Sequence, residues 1–252
     1  MSNISRVRPD LDIARRVLPA PLLKAIHHIF NQNILNTVLV GGTALSGFYA
    51  GHRRSDDIDL FTQTKVSFDA ALMAVKSLET VGAKLSNQSH SNQYYRSLCT
   101  LDHHSFTVDL VLDENLFKVG SFQKIEKISL VDLPTLFKMK AATLVSRCSE
   151  KDLYDLLWLF THYSDESSNI EHLIQSALEI DLGANAESML ISLTGATLSQ
   201  KACNFAIHEP ASSAYQKILS FRKQLIREIR DFESGKKNSP LKDVIRALEK
   251  LR

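Results

Sequence analysis

The sequence predicts an α+β protein in which a domain of mixed strands and helices, residues 1–130, precedes a helical domain, residues 131–252. Three observations predict this class. Short β-branched or alternating runs recur before residue 130, apolar residues recur at helical spacing after it, and a glycine pair and two aspartates lie beside predicted strands. A chain of 252 residues is long enough to bury a substantial core in either part.

The first elements lead to the glycine pair and the aspartates. Apolar residues spaced by three and four predict a helix over Pro21–Asn33, and the β-branched run Thr37–Val40 predicts a buried strand that ends at two glycines. A helix is then expected over Thr43–Ala50. A polar loop follows it, and strand character returns over Ile58–Thr62.

A second helix and a hairpin complete the predicted N-terminal domain. One apolar face predicts a helix over Phe68–Val81, with Gly82 as its stop. The alternating runs Tyr94–Leu101 and Ser105–Val111 predict a hairpin joined by a short polar turn. Alternation places Asp109 on the opposite face of its strand from the large apolar residues, so this acid interrupts a sheet-like pattern.

The second half of the chain reads as helical throughout. Turn signals separate its apolar segments, and no internal repeat is visible. The predicted helical segments are Leu133–Val145, Leu153–Phe160, Leu173–Ile180, Met189–Leu198, Ile218–Ile229 and Leu241–Leu251.

Charge and composition exclude several classes of protein. The net charge of +2 is too small to indicate a nucleic-acid partner, but Lys217–Arg252 holds eleven Lys and Arg against five Asp and Glu. This basic region suits either a bound polyanion or a solvated terminal helix. Three scattered cysteines predict neither disulfides nor a zinc site. No stretch approaches the ~20 apolar residues that span a bilayer, so a cytoplasmic protein without a membrane partner is expected.

The glycine pair predicts a phosphate-binding turn. Gly41 and Gly42 join a strand to a helix, where unpaired backbone N–H groups can receive phosphate oxygens and the missing side chains allow close approach. Thr43 is expected at the N-cap, with a hydroxyl that can turn toward a phosphate instead. Arg54 and Ser55 precede the aspartates, and Arg54 is either a phosphate contact or an exposed loop residue.

Three aspartates predict a metal site. Asp57 and Asp59 share one face of a strand because side chains alternate with period two, and paired carboxylates suit Mg²⁺ or Mn²⁺. Asp109 is preferred over Asp113 as a third ligand because Asp113 falls at a strand end. Three such carboxylates on neighbouring strands can hold two cations that orient a nucleoside triphosphate and activate a hydroxyl.

Four separated motifs resemble one family in order and spacing. They are Gly-Gly-Thr-Ala-Leu at 41–45, Arg-Ser-Asp-Asp-Ile-Asp-Leu-Phe at 54–61, the lysine helix at 139–147 and Lys-Asp-Leu-Tyr-Asp-Leu at 151–156. Together they resemble the AbiEii/AbiGii-type nucleotidyltransferases, whose catalytic domain is polymerase-β-like. The resemblance covers about residues 37–160, and nothing is recognisable past residue 165.

The resemblance implies roles for residues of the second half as well. It makes Lys140 a phosphate contact and places Asp152 and Asp155, which share a helix face, at the nucleotide or substrate. The resemblance favours Asp155 for catalysis and Asp152 for nucleotide binding, but both can instead be structural acids bonded to Lys151, Arg147 or nearby backbone. Lys140 can instead be a solvated helix lysine, and the neighbouring Lys138 could serve as well.

The resemblance also implies an activity. A nucleoside triphosphate would donate a nucleoside monophosphate to an acceptor, with release of pyrophosphate, and the acceptor that the resemblance implies is RNA, particularly the 3′ end of tRNA. It further implies a toxin beside a separate antitoxin. Two other functions fit the same residues: a small-molecule nucleotidyltransferase, and a catalytically silent nucleotide-binding module.

Overall fold

The strands predicted around the glycine pair and the aspartates belong to one seven-stranded mixed sheet. The computed structural model describes residues 7–162 and 168–249, which group into two compact units. The first is Val7–Leu136 and contains the whole sheet. The second consists of the described residues from Phe137 onward and is helical, so the predicted α+β class is confirmed.

The sheet combines parallel and antiparallel pairs. Its strands are β1 Thr37–Val40, β2 Asp57–Thr62, β3 Lys84–His90, β4 Tyr94–Leu101, β5 His104–Leu112, β6 Phe122–Ile125 and β7 Ile128–Val131. Their spatial order is β3-β4-β5-β2-β1-β7-β6. β2 lies at the centre, antiparallel to β1 and parallel to β5. β1, β2 and the β4–β5 hairpin were predicted, whereas β3, β6 and β7 were not.

Each predicted helical segment overlaps a helix of the structure, whereas the helices at Leu11–Val17 and Glu114–Val119 were not predicted. Besides the α-helices, the described residues form a π-helical turn at Ser46–Ala50 and 3₁₀ turns at Ser77–Val81 and Gln200–Phe205. The α-helices of the described residues are α1 Leu11–Val17, α2 Ala20–Asn31, α3 Gly41–Leu45, α4 Lys65–Lys76, α5 Glu114–Val119, α6 Leu133–Ser146, α7 Glu150–His162, α8 Ile170–Leu178, α9 Ala186–Gly195, α10 Ala211–Glu233 and α11 Leu241–Glu249.

Local side-chain chemistry fixes two of the element boundaries. Thr64 caps α4 by accepting the Ser67 backbone N–H at 3.1 Å, and the Ser67 hydroxyl accepts the Thr64 N–H at 2.9 Å in return. Asp102 and His103 both have positive φ, 47° and 63°, and form the two-residue turn between β4 and β5. This backbone matches the right-handed twist of the paired strands.

Alternation along β2 and β5 separates a core face from an accessible face. Ile58, Leu60 and Val108 are fully buried, and α2 and α4 pack against the sheet. The aspartates of both strands lie at the intervening, partly accessible positions, because successive side chains point to opposite faces. The core therefore holds the sheet rigidly while leaving its acidic face available.

In the helical unit, α10 packs against α7, α8, α9 and α11. Aromatic packing contributes to its core, where the rings of Phe160 and Phe221 meet edge to face with centroids 5.3 Å apart. No helix of the described residues is long and apolar enough to cross a membrane.

Candidate active site

The glycine turn lies at the junction of β1 and α3. Gly41 has φ +70°, a left-handed conformation that glycine adopts without the strain of a Cβ atom. The helix begins at Gly41 with Val40 at the N-cap, so the predicted N-cap role of Thr43 is wrong. Thr43 is fully buried, and its hydroxyl donates instead to the backbone carbonyl of Asp57, which ties the turn to the start of β2.

Both glycines make room for functional side chains. A Cβ atom on Gly41 would lie 2.1 Å from Oδ2 of Asp59, so the Asp59 carboxylate packs directly against this backbone. A Cβ atom on Gly42 would lie 2.4 Å from Nη2 of Arg53 and 3.1 Å from Oγ of Ser55. The absence of side chains at both glycines thus leaves room for an acid on one side of the turn and a buried guanidinium on the other.

The three predicted acids share one face of neighbouring strands. Parallel pairing sets Asp59 directly beside Asp109, and Asp57 beside Thr107. Because the pleats of paired strands are in phase, all four side chains project to the accessible face of the sheet. The structure therefore brings Asp57, Asp59 and Asp109 to one area of the sheet, as the sequence predicted.

Neighbouring side chains hold two of these carboxylates. The Thr107 hydroxyl donates to Oδ1 of Asp57 at 2.5 Å, and the Tyr94 hydroxyl donates to Oδ1 of Asp109 at 2.5 Å. Arg96 Nε lies 3.8 Å from the same Asp109 oxygen. Partial burial and then the Asp109 carboxylate raise the pKa of Tyr94 above its ordinary value, so Tyr94 remains a hydrogen-bond donor at neutral pH.

The donor chemistry of this face fits a hard divalent cation. Three carboxylates supply the oxygen ligands that Mg²⁺ and Mn²⁺ prefer. Within residues 7–162 and 168–249, however, no three His, Cys, Asp or Glu side chains converge as they stand on one position that could hold a metal. The Thr107 hydroxyl on β5 and the Tyr94 hydroxyl on β4 instead bind Asp57 and Asp109 from the neighbouring strands.

The remaining predicted residues of the sheet unit divide clearly. Asp113 follows the last residue of β5 and caps α5 by accepting the Leu116 backbone N–H at 3.0 Å, while the strand register sets Asp109 beside Asp59. Ser55 is buried next to Gly42, whereas Arg54 is exposed. The arginine at the glycine turn is Arg53, only 2% exposed, with Nη1 donating to the Arg54 carbonyl at 2.9 Å.

Lys140, Asp152 and Asp155 form a buried ionic cluster in the helical unit. Lys140 Nζ lies 3.0 Å from Asp152 Oδ1 and 2.7 Å from Asp155 Oδ2. The three residues are 5%, 2% and 0% exposed. Both acids of the predicted pair therefore bind the predicted lysine, and a phosphate contact by Lys140 stays a prediction.

Asp152 has further partners that keep it charged. Burial by itself would raise its pKa, but the Lys140 ammonium, a hydrogen bond of 2.6 Å from the Ser149 hydroxyl and the charge of Arg147 together hold that pKa below its ordinary value. The cluster thus carries two carboxylates against one ammonium. Its charges link α6 to α7. Arg147, whose Nε lies 3.6 Å from Asp152 Oδ2, is one of the partners expected of a structural acid.

Sequence reasoning did not select four residues of the acidic face and the glycine turn: Arg53, Tyr94, Arg96 and Thr107. The sequence pattern could have indicated Thr107 and Arg96, because each lies two residues from a residue on the same face of its strand, Asp109 and Tyr94 respectively. Nothing in the local pattern distinguishes Arg53 from Arg54, since only the path of the loop buries the first and exposes the second.

Comparisons with solved structures agree with this fold. The chain is similar to MenT4, a nucleotidyltransferase toxin of Mycobacterium tuberculosis, with a TM-score of 0.54 and 12% identity over 95% of this chain and 92% of that one. It is also similar to JHP933 of Helicobacter pylori, with a TM-score of 0.50 and 17% identity over 85% of this chain and 93% of that one. At these identities the likeness shows the fold alone.

No curated protein sequence matches the chain. A family model does, and it extends well beyond the residues in which the resemblance was visible. The model is described as the nucleotidyl transferase AbiEii toxin of type IV toxin–antitoxin systems, and it matches residues 22–239, which include the glycine turn, the three acids and the ionic cluster. The chain therefore belongs to the AbiEii nucleotidyl transferase toxin family.

Proposed function

We propose that this protein transfers a nucleoside monophosphate from a nucleoside triphosphate to the 3′ end of an RNA, with tRNA as the first acceptor to test, and releases pyrophosphate. One observation carries the proposal: Asp57, Asp59 and Asp109 share a sheet face, and Asp59 packs against the glycine turn. Family membership supports a nucleotidyl transferase toxin and, with it, a cognate antitoxin as a partner.

The residues of the glycine turn would receive the triphosphate. The backbone N–H groups at the start of α3 would receive phosphate oxygens, and the Arg53 guanidinium against Gly42 would supply a positive charge at that position. Ser55 is buried beside the same guanidinium and can contribute a hydroxyl. These contacts would orient the α-phosphate toward the acidic face.

The acids would hold Mg²⁺ or Mn²⁺. When bound there, the cation supplies charge neutralisation of the phosphates and lowers the pKa of the attacking hydroxyl. Asp59 is fixed against Gly41, whereas Asp57 and Asp109, which accept hydrogen bonds from Thr107 and Tyr94, would have to give these up to hold the cation. Metal binding would therefore require only that these side chains move, while the backbone of the sheet stays in place.

The reaction joins the acceptor hydroxyl oxygen to the α-phosphorus and breaks the bond from that phosphorus to the oxygen bridging to the β-phosphate. The hydroxyl proton passes to a carboxylate of the acidic face, and pyrophosphate leaves with the bridging oxygen. Positioning and charge stabilisation carry most of the rate enhancement in such phosphoryl-transfer chemistry. No covalent intermediate on the protein is required.

The test uses the full chain with each of the four α-labelled nucleoside triphosphates, Mg²⁺ and total RNA. We expect label on RNA with the unaltered protein and none with an Asp57→Ala, Asp59→Ala variant of the same fold. Label on a small molecule would instead identify a small-molecule nucleotidyltransferase. Nucleotide binding without transfer to any acceptor would identify a silent binding module and end the proposal.

A further inference from the structure

Two groups of cations stand out in the basic region. Residues 250–252 of that region lie outside the described part of the chain, and Arg222 and Lys242 belong to neither group. Some of its cations already have acidic partners, which neutralise them locally. These pairs are Lys217 with Glu209 at 2.7 Å, Lys237 with Glu228 at 3.6 Å and Arg246 with Asp243 at 3.2 Å.

Four other cations, at and just beyond the C-terminal half of α10, make no ion pair within the described residues. They are Lys223, Arg227, Arg230 and Lys236, all exposed, and we call them the cationic stripe. Lys223, Arg227 and Arg230 follow spacings of four and three, so they lie on one side of the helix over about 10 Å of its axis. Like charges at such spacings repel and weaken the helix slightly unless an anion binds them.

The cationic stripe lines an open groove of about 760 Å³ formed by residues of α9, α10 and the turn that follows. Leu219 and Ile226 contribute apolar lining, and Asp231 is the acidic residue in it. Arg222 also lines the groove, but its Nε donates to the Leu193 carbonyl at 2.6 Å and so holds the end of α9 against α10. The groove is therefore built on fixed helices and is strongly positive.

We infer that the cationic stripe binds the phosphate backbone of the RNA acceptor, an inference that rests on the proposed function. The chain outside Lys217–Arg252 carries a net excess of acidic residues, so positive charge is concentrated where the stripe lies. Arginine guanidinium groups bind phosphate through paired hydrogen bonds, and lysines add point charges that need no base sequence. The stripe thus fits a sequence-independent contact with a polyanionic backbone.

The test compares two variants with the same change in net charge. The stripe variant carries Lys223→Gln, Arg227→Gln and Arg230→Gln. The control variant carries Lys76→Gln, Lys84→Gln and Lys124→Gln, three exposed lysines of the sheet unit that likewise make no ion pair within the described residues. Circular dichroism and a thermal midpoint establish that both variants fold.

Binding of a fluorescently labelled single-stranded RNA is then measured by anisotropy over a series of salt concentrations. Each lost phosphate contact should reduce the slope of log K against log salt by about 0.7 in magnitude, so the stripe variant should lose about 2 from that slope. The control variant should keep the slope of the unaltered protein. Equal slopes in all three proteins would overturn the inference, whether or not the groove then binds an acidic protein.

Transfer to RNA is measured on the same three proteins, so that the two proposals can fail separately. If the unaltered protein labels RNA and the stripe variant binds RNA with an unchanged slope, the proposed function stands and the stripe inference is wrong. If the slope depends on the stripe but no protein labels RNA, the stripe inference stands and the transfer reaction is wrong.

Discussion

Replacing Gly41 by alanine tests whether the Asp59 carboxylate must stand where the structure places it. The new methyl group would lie 2.1 Å from Oδ2, 2.9 Å from Cγ and 3.2 Å from Cβ of Asp59. The backbone there is held by β1 and α3, so the side chain has to rotate away. We expect a displaced carboxylate on an otherwise intact sheet.

Two magnitudes follow from this geometry. Alanine at φ +70° costs about 1–2 kcal/mol of folding stability because its Cβ is crowded in the left-handed region. Relieving a contact of 2.1 Å moves the carboxylate by roughly 1 Å, and a misplacement of that size lowers a phosphoryl-transfer rate by about a hundredfold. The loss of activity should therefore be much larger than the loss of stability explains.

Gly82→Ala is the matched control. Gly82 also has positive φ, at 92°, but a Cβ atom there would meet no atom within 4 Å. Both variants should lose about 1–2 kcal/mol in urea unfolding, whereas only Gly41→Ala should lose transfer of labelled nucleotide to RNA. Equal transfer rates in the two variants would show that the position of the Asp59 carboxylate does not matter for the reaction.

Three further predictions concern single acids and the ionic cluster. Asp109→Asn should lower transfer at least about a hundredfold without unfolding the protein, while Asp113→Asn, which keeps an N-cap side chain, should leave it unchanged; the reverse result would assign the third acid to Asp113. Lys140→Met should cost about 3–5 kcal/mol in urea unfolding because Asp152 and Asp155 lose their buried ammonium, and a cost under about 1 kcal/mol would mean that the cluster is not held by charge. The folded-state pKa of Asp152 is lowered, so its contribution to folding stability is present above the ordinary value of 3.8 and is lost as the pH falls through the lower folded pKa. The difference in unfolding free energy between the unaltered protein and Asp152→Asn should therefore close in acid. A difference independent of pH would contradict the lowered pKa.

The acidic face could be predicted from sequence because its signal is local and periodic. Asp57 and Asp59 lie two residues apart, and Asp109 interrupts the alternation of its own strand, so each orientation follows from period two. The neighbouring positions of β2 and β5 also agreed with the prediction of adjacent strands. What the periodicity could not supply was the parallel register that sets Asp59 beside Asp109.

The parts that sequence reasoning missed depend on contacts between distant segments. The polar strand β3 has no alternating apolar signal, since one of its seven positions is buried and five are exposed. Nothing near Lys140 in the sequence indicates its ion pairs with Asp152 and Asp155. A lysine two residues from Lys138 is expected to be solvated until α6 and α7 are packed. Burial of Arg53 likewise follows from the loop path alone.

The parallel ladder between β2 and β5 has a consequence for how the protein matures. Asp57 and its hydrogen-bond donor Thr107 are 50 residues apart in the chain, and the intervening segment contains α4, β3 and β4. Loop closure of this kind is entropically costly and slow compared with hairpin formation. A nascent or truncated chain that ends before β5 would hold two of the three acids without the third, so the proposed transfer reaction would have to wait until β5 has been synthesised.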